Sequence, residues 1–283
     1  MRYFAILLLT LAACFGAQAL ALRAVGGRTT KSESNYFSSL GRIQAGTTGE
    51  ARIMLLGSSI TGRLPDRAQG FDEVANMGCD GGSAVDALRA MDRGLLPVAP
   101  ILVIEANTLV RALDPKPSEV GLSMDKPWFQ AGMRVPSISA YARPSAFFYS
   151  LLLARRIGDF GQPGDGDGLH ATGMPARLQA PAPAAGNPAE RALAAELQPI
   201  LARLQGKGCR TIFVWLPPAR GDGSPPPFWI TSLIAGSNSE WWDLGAEAQR
   251  DLVVLTDGVH MAGPSASRTV VSLLKGIEQS GIK

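Results

Sequence analysis

The stretch that decides the fold is IMLLGSSIT at residues 53–61, in which four apolar residues lead directly into a glycine and two serines. Continuous apolarity is typical of a strand buried on both faces, as in a parallel sheet covered by helices. We predict this strand at 52–57. Runs of the same kind predict further strands, at 73–78, 101–107, 211–217 and 252–256. The pattern therefore indicates an α/β fold with a parallel sheet and helices on either side.

Helices are predicted between the strands and after the last one, at 83–93, at 145–156, from Asn187 onward and at 265–278. The helix from Asn187 has a capping residue, a proline at its first position and Glu190 three residues after the cap. Pro199 lies inside the same pattern. Because an internal proline breaks the backbone hydrogen-bond ladder, we expect a kink or two shorter helices there.

A long stretch at 111–188 separates the third strand from the fourth and predicts a loop-rich insertion. Its latter part, 158–188, is dense in Gly, Pro and Ala and predicts a surface loop. The sequence GDGDG at 164–168 lacks the acidic residue that a calcium loop needs at its end, so we predict no metal site at Asp165 and Asp167.

The length of 283 residues, with 46% hydrophobic residues, is sufficient for one α/β domain, which we place at 45–283. The net charge of +3 is small, and no run of Lys and Arg interleaved with aromatic residues is present. Nucleic acid is therefore not an expected partner.

The first 24 residues predict export, because Arg2 precedes a nearly unbroken apolar stretch at 3–22 with small residues near its end. Three fates remain open: cleavage as a signal peptide, retention as a membrane anchor, and lipidation at Cys14. We favour the first two, since the residues after Cys14 stay apolar. The alternative of a buried first helix is disfavoured by the absence of a polar face at helical spacing. We therefore expect an extracytoplasmic location, either periplasmic or secreted. If the segment is retained, it would attach the protein to the membrane.

Two cysteines lie outside this segment, Cys79 and Cys209. A disulfide framework needs more cysteines than this, and neither a Cys-x-x-Cys spacing nor nearby histidines suggest a redox or metal site. Both are predicted to be small buried side chains.

Residues suited to acyl-transfer chemistry follow the predicted strands. In an open parallel sheet ligands bind beyond the carboxyl ends of the strands, where Ser58 and Ser59 follow the first strand. The sequence DGVH at 257–260 follows the last one. A serine hydroxyl needs an adjacent base, for which His260 is suited, and Asp257 can hold that imidazole across a turn. Each feature alone also fits an ordinary turn, and His170, the second histidine, lies in the Gly-rich loop.

The turns after the second and third strands offer donors for the negatively charged oxygen of a tetrahedral intermediate. After the second strand comes NMGCDGGS at 76–83, where glycine allows a backbone N–H to approach a ligand closely. After the third comes EANT at 105–108, where the Asn107 side chain could donate.

Strand ends that carry Ser, Gly, Asn and Asp-x-x-His in this order resemble the SGNH (GDSL-like) hydrolase superfamily, from about residue 52 to the last helix. The resemblance implies a three-layer α/β/α sandwich with a five-stranded parallel sheet, flavodoxin-like in topology. It matches Ser59 to the nucleophile, with Asp257 and His260 as its relay. The oxyanion hole would consist of the N–H groups of Ser59 and Gly81 and the amide of Asn107. No cofactor is expected.

The chain departs from the family pattern in three motif residues, and Pro65 leaves room for only a short helix after the nucleophile. Ser58 replaces the usual Asp before the nucleophile, and in the third block Glu105 and Thr108 replace the usual Gly and Asp. The first departure leaves Ser58 open as an alternative nucleophile. The Gly-Ser-Ser sequence at 57–59 resembles the variant found in envelope proteins of this superfamily that transfer acyl groups on polysaccharides.

The resulting expectation is an extracytoplasmic serine esterase or O-acyltransferase whose substrate is an acyl ester, with an acetylated polysaccharide as one candidate. Trp128, Trp229, Trp241 and Trp242 lie in loop-like segments, where exposed rings could stack on sugars or pack in the core. A non-catalytic binding or assembly module of the same fold is the main alternative. A flavodoxin-like cofactor binder is disfavoured, because the turn after the first strand lacks a Gly-rich phosphate cradle.

Overall fold

The structure is a computed structural model that describes residues 2–24, 32–113, 117–156, 176–177, 187–217, 228–244, 253–255 and 259–280. The α-helices of these residues are α1 (Arg2–Ala24), α2 (Asn35–Gly46), α3 (Ser59–Gly62), α4 (Val85–Asp92), α5 (Glu119–Met124), α6 (Pro127–Arg134), α7 (Pro144–Arg156), α8 (Pro188–Gly206), α9 (Phe228–Gly236) and α10 (Gly263–Gln279). Short 3-10 helices lie at Arg67–Gln69, Leu109–Leu113, Pro136–Ile138 and Ala140–Ala142.

The strands are β1 (Ile53–Leu56), β2 (Val74–Asn76), β3 (Ile101–Glu105), β4 (Ala176–Arg177), β5 (Arg210–Trp215) and β6 (Glu240–Asp243). They form one sheet in the order β2-β1-β3-β5-β6-β4. Five of them are parallel, and the short β4 adds an antiparallel pair to β6. With helices on both faces of the parallel sheet, the chain has the predicted three-layer α/β fold.

Both faces of the sheet are buried, which explains the continuous apolar runs. In β1, Met54 and Leu56 join one hydrophobic cluster, which contains residues of α2, α4, α8 and α9. Ile53 and Leu55 join a second cluster on the other face, where Val270 and Ile277 of α10 pack. Alternate side chains of a strand point to opposite faces, so an all-apolar strand supplies both clusters at once.

Four of the five predicted parallel strands are confirmed, and the fifth prediction is wrong. The fifth parallel strand is β6, not 252–256. Within that predicted run, residues 253–255 are described, and Leu255 forms an isolated antiparallel bridge with Met261 instead of a strand. The β6 sequence EWWD lacks the branched residues that marked the other strands, and its aromatic residues are buried by tertiary packing.

The predicted helices are confirmed as α4, α7, α8 and α10, and α8 begins with the expected capping box. Pro199 lies inside α8, which continues through it as one helix, so the alternative of two shorter helices is wrong. The predicted domain start at residue 45 falls inside α2, whose Leu40 and Ile43 are fully buried. Most of the predicted loop at 158–188, with Asp165, Asp167 and His170, lies outside the described residues.

The N-terminal helix α1 contains an apolar stretch, Arg2–Ala21, of 20 residues with a mean hydropathy of 2.1, and none of it is buried. Its length and composition suit a membrane span and equally suit a signal sequence. This is compatible with the predicted extracytoplasmic or membrane location.

Candidate active site

The strand order creates a crevice between β1 and β3. From β1 the chain proceeds to β2 on one side, and it then returns to β3 on the other side of β1. The connections that leave β1 and β3 therefore diverge, and ligands of open α/β sheets bind in the crevice at such a switch point. Ser59 follows β1 and Asn107 follows β3, so two of the predicted site residues lie at the mouth of this crevice.

Ser59 and His260 meet at this edge of the sheet. Ser59 Oγ lies 2.9 Å from His260 Nε2, although the two residues are 201 positions apart in the chain. Both side chains are half-buried. A hydroxyl within hydrogen-bond distance of an imidazole nitrogen has the geometry that a general base requires to remove its proton.

Hydrophobic packing beside each residue holds this contact in place. Ile60 and Met261, the neighbours of Ser59 and His260, are 7% and 4% exposed and belong to the same hydrophobic cluster. The segment that carries His260 is closed by the Leu255–Met261 bridge, and the Ala262 N–H donates to Val254 O at 2.8 Å. His260 therefore lies beside a bridged residue, Met261, that shares a hydrophobic cluster with the neighbour of Ser59.

Ser58 has a different environment from that of Ser59. Its side chain is fully buried, and its hydroxyl donates to the Glu105 carboxylate at 2.9 Å. The same oxygen accepts the Ile60 N–H at 3.1 Å, which makes Ser58 the N-cap of α3. Because this hydroxyl is occupied and buried while that of Ser59 contacts an imidazole, the geometry favours Ser59 over Ser58 as the reactive serine.

The loop after β2 brings Gly81 to the same edge of the sheet. The Cys79 N–H donates to Gly57 O at 2.8 Å, which extends the pairing of β1 and β2 into the two turns. Gly81 is exposed and has a φ of +78°, a backbone conformation that favours glycine. In the described part of the chain, no acceptor contacts its N–H.

A buried ion pair supports this loop from α2. The Arg42 guanidinium contacts the Asp80 carboxylate at 3.1 Å, and the two side chains are 9% and 6% exposed. Arg42 also donates to Gly78 O at 2.5 Å. The Asp80 N–H donates to Ser39 Oγ at 2.8 Å. Three contacts from α2 thus determine where the residues before Gly81 lie.

Asn107 links the ends of β3 and β5. Its Nδ2 donates to Leu216 O at 2.8 Å, and its Oδ1 accepts the Leu216 N–H at 2.9 Å. The amide is half-buried, and this pairing uses one of its two hydrogens. No other described residue accepts the second hydrogen.

Asp257, the predicted partner of the imidazole, lies outside the described residues, so its role stays a prediction. Among the described residues, no group of three or more His, Cys, Asp or Glu side chains is arranged to hold a metal ion.

The contacts of Glu105 were not predicted from the sequence, in which this residue stands out only as a departure from the family pattern. This carboxylate is fully buried at the end of β3 and accepts hydrogen bonds from Ser58, Thr61 and Thr108. The signal was present in ILVIE at 101–105, because a glutamate is rarely found inside a strand that is buried on both faces.

The prediction that four tryptophans lie in loop-like segments is wrong for all of them. Trp229 lies in α9, and Trp241 and Trp242 form the centre of β6. Their exposures of 2%, 7% and 1% show that they pack in the core and cannot stack on a sugar in this structure. Trp128, in α6, is 46% exposed.

Comparisons of this chain with known protein families, curated proteins and solved structures found no match. The inference of function therefore depends on the geometry of the residues at this edge of the sheet.

Proposed function

We propose that the chain is a serine ester hydrolase or O-acyltransferase of the SGNH type, with Ser59 as nucleophile and His260 as general base. The observation that supports this is the 2.9 Å contact between Ser59 Oγ and His260 Nε2. A serine hydroxyl is a weak nucleophile at neutral pH and needs such a neighbour to remove its proton. Asp257 would orient the imidazole and stabilise its protonated form.

In the proposed reaction, Ser59 Oγ attacks the carbonyl carbon of an ester while His260 takes the hydroxyl proton. His260 then gives this proton to the departing alcohol, and an acyl-serine remains. Water or a carbohydrate hydroxyl then attacks the acyl group and loses its proton to His260. His260 returns this proton to Ser59 Oγ as the acyl–Ser59 bond breaks, which releases the acid or the new ester. The N–H groups of Ser59 and Gly81 and the amide of Asn107 would stabilise the oxyanion, each by about 3 kcal/mol.

The proposed substrate is an acyl ester outside the cytoplasm, with an envelope or extracellular polysaccharide as the candidate acceptor or donor. The apolar N-terminal helix supports the location, and the resemblance of the Gly-Ser-Ser turn supports the carbohydrate. With Trp229, Trp241 and Trp242 buried, aromatic stacking no longer supports it.

Labelling with a serine-directed fluorophosphonate, followed by mass spectrometry of the labelled peptide, tests this proposal. We expect the label on Ser59, complete loss in Ser59→Ala, and a slower but measurable reaction in Ser58→Ala. Ser232→Ala, which removes an exposed hydroxyl on α9, is the matched control and should react like the wild type. A label on Ser58, or a Ser59→Ala protein that cleaves short acyl esters at the wild-type rate, would contradict the proposal.

The second candidate is a non-catalytic binding or assembly module. The three departures at Ser58, Glu105 and Thr108 favour it, because they alter the two blocks that surround the nucleophile in the family pattern. A wild-type protein that fails to react with the fluorophosphonate, while it remains folded, would support this candidate over the enzyme.

A further inference from the structure

A buried carboxylate organises the turn that carries Ser59. Glu105 is fully buried, and its Oε2 accepts the N–H groups of Ser58 at 2.9 Å and Thr61 at 3.2 Å. Three hydroxyl groups also donate to this carboxylate. They are those of Ser58 at 2.9 Å, Thr61 at 2.6 Å and Thr108 at 2.7 Å.

Four other N–H groups of the turn, those of Ser58, Ile60, Thr61 and Gly62, are engaged, whereas that of Ser59 is not. The N–H groups of Ser58 and Thr61 donate to Glu105, and that of Ile60 donates to Ser58 Oγ at 3.1 Å. The Gly62 N–H donates to Ser58 O at 2.9 Å. In the part of the chain that the structure describes, the Ser59 N–H has no acceptor. It is therefore available to a developing oxyanion.

The space beside the turn is shaped for this carboxylate. A Cβ built on Gly57 would lie 2.6 Å from Glu105 Cβ, so the glycine allows β3 and the turn to approach each other. No Lys or Arg among the described residues forms an ion pair with Glu105. Its solvation by water is instead replaced by fixed donors, which is the condition under which a buried acidic group is tolerated.

We infer that Glu105 is a positioning residue of the proposed acyl-transfer site: it holds the 57–62 turn so that the Ser59 hydroxyl meets His260 and the Ser59 N–H stays free for the oxyanion. This inference rests on the proposed function. Glu105 contacts neither Ser59 nor His260 among the described contacts, so it acts through Ser58 and Thr61.

The three departures from the family pattern form one hydrogen-bonded group. Ser58 and Thr108 both donate to Glu105, so the residues that looked like separate losses of the motif contact the same carboxylate. A carboxylate that the pattern places directly before the nucleophile is here supplied by the neighbouring strand, and serine and threonine provide the donors that it needs.

Glutamine at position 105 tests the inference, because it has nearly the same shape but only one acceptor oxygen. Its NH₂ group would face either the Thr108 hydroxyl or the N–H groups of Ser58 and Thr61, and its one oxygen is a neutral and therefore weaker acceptor for the turn. We expect kcat for a short acyl ester to fall about a hundredfold in Glu105→Gln, with little change in KM, as when a catalytic group is displaced by about 1 Å. In the double variant Ser58→Asp with Glu105→Gly, which returns the carboxylate to the turn, we expect kcat to recover at least about tenfold over Glu105→Gly alone.

Thr211→Val is the matched control. Thr211 is 2% exposed and bonds Gln205 and Ser239 at the opposite end of the sheet, so its loss perturbs a buried network without touching the site. Hydrogen exchange provides a readout that needs no turnover. The amides of Ser58 and Thr61 should exchange at least about tenfold faster in Glu105→Gln and at the wild-type rate in Thr211→Val.

A Glu105→Gln protein that keeps the wild-type kcat and wild-type exchange at Ser58 and Thr61 would overturn the inference, even if it melts at a lower temperature. A wild-type protein without fluorophosphonate reactivity would instead overturn the proposed function. Faster exchange in Glu105→Gln of such an inactive protein would still support the positioning of the turn by Glu105.

Discussion

Adjacent serines with the same hydroxyl group differ in what surrounds them. Ser58 is buried and caps α3, whereas Ser59 is half-buried and lies 2.9 Å from an imidazole nitrogen. Ser58 is the N-cap of α3 and Ser59 is its first residue, so their side chains point in different directions. The Ser58 hydroxyl lies in the interior, and the Ser59 hydroxyl lies at the edge of the sheet. We therefore expect mutation of Ser58 to affect the structure of the turn and mutation of Ser59 to affect the proposed reaction.

Asp257→Asn tests the last member of the predicted relay. An amide can keep the contact with His260 but favours the wrong tautomer of the imidazole, so we expect kcat to fall by roughly a thousandfold or more without loss of folding. Steady-state kinetics on a short acyl ester measure this. A decrease of less than about tenfold would mean that another group orients His260.

Burial also determines how readily the thiols of Cys79 and Cys209 ionise. Neither cysteine forms a disulfide. Burial, with a smaller effect of the Asp86 charge, raises the pKa of the Cys79 thiol to about 12, and burial raises the pKa of Cys209 to about 11. Such thiols stay protonated in the folded chain and are poor nucleophiles. This agrees with the prediction that both are small buried side chains.

These pKa values predict a loss of stability at alkaline pH. Unfolded thiols ionise near pH 9, whereas the folded ones do not, so the unfolded state binds fewer protons above that pH. The free energy of unfolding should be unaffected by the thiols below about pH 8 and should fall as the pH rises from about 9 to 11. In Cys79→Ala the free energy of unfolding should decrease less steeply with pH, by a slope that corresponds to about one proton. Urea unfolding across the pH range measures this slope. An unchanged slope would contradict the assignment.

At the scale of elements, α2 supports the loop after β2, although it precedes the sheet in the chain. Its Arg42 reaches the loop after β2 and pairs with Asp80, with both side chains almost fully buried. Because the loop carries Gly81, the helix contributes to the proposed oxyanion site without supplying a residue to it. Desolvated pairs of this kind are costly to break, since the remaining charge is left buried.

We expect Arg42→Met to lower the free energy of unfolding by about 3–5 kcal/mol and to reduce turnover further than the loss of folded protein explains. The matched control is Arg52→Met, which breaks the Arg52–Glu73 pair, whose side chains are 33% and 55% exposed. That change should cost about 1 kcal/mol or less. Urea unfolding followed by circular dichroism compares them. Equal costs for the two variants would show that the Arg42 pair is no more important than a surface pair.

At the scale of the whole molecule, α1 differs from every buried element. Its apolar stretch has no buried part, whereas α2, α8 and α10 each bury an apolar face in the core. A helix of this composition gains stability only in an apolar surrounding, such as a bilayer or the export machinery. The molecule therefore consists of a packed α/β domain and an N-terminal helix whose apolar stretch does not contribute to the core.

Cys14→Ser tests how this helix is processed. Because the residues after Cys14 remain apolar, we expect no lipid on this cysteine, so the variant should distribute between soluble and membrane fractions as the wild type does. Mass spectrometry of the N-terminal peptide distinguishes a cleaved leader from a retained anchor. An acyl chain on the wild-type Cys14, together with release of the variant from the membrane, would contradict the expectation.

Local pattern alone determined four parallel strands, the capped start of α8 and the pairing of Ser59 with His260 as candidates. Continuous apolar runs, capping residues and turn residues are properties of short segments, so they can be recognised without knowledge of the rest of the fold. The order of these segments also placed Ser59 at a strand end. The strand that was predicted before His260 does not form, so the contact of His260 with Ser59 was decided by the tertiary structure.

Only the tertiary structure decided β6, the role of α2 and the network around Glu105. Trp241 is part of a strand because the backbone of β6 pairs with that of β5, and its ring lies 5.8 Å from that of Trp215. Nothing in a four-residue segment predicts these contacts. The donors to Glu105 at Ser58 and Thr61 come from 47 and 44 residues earlier in the chain. A polar residue inside an apolar run is stable only when distant partners reach it, and those partners are determined by how the strands assemble.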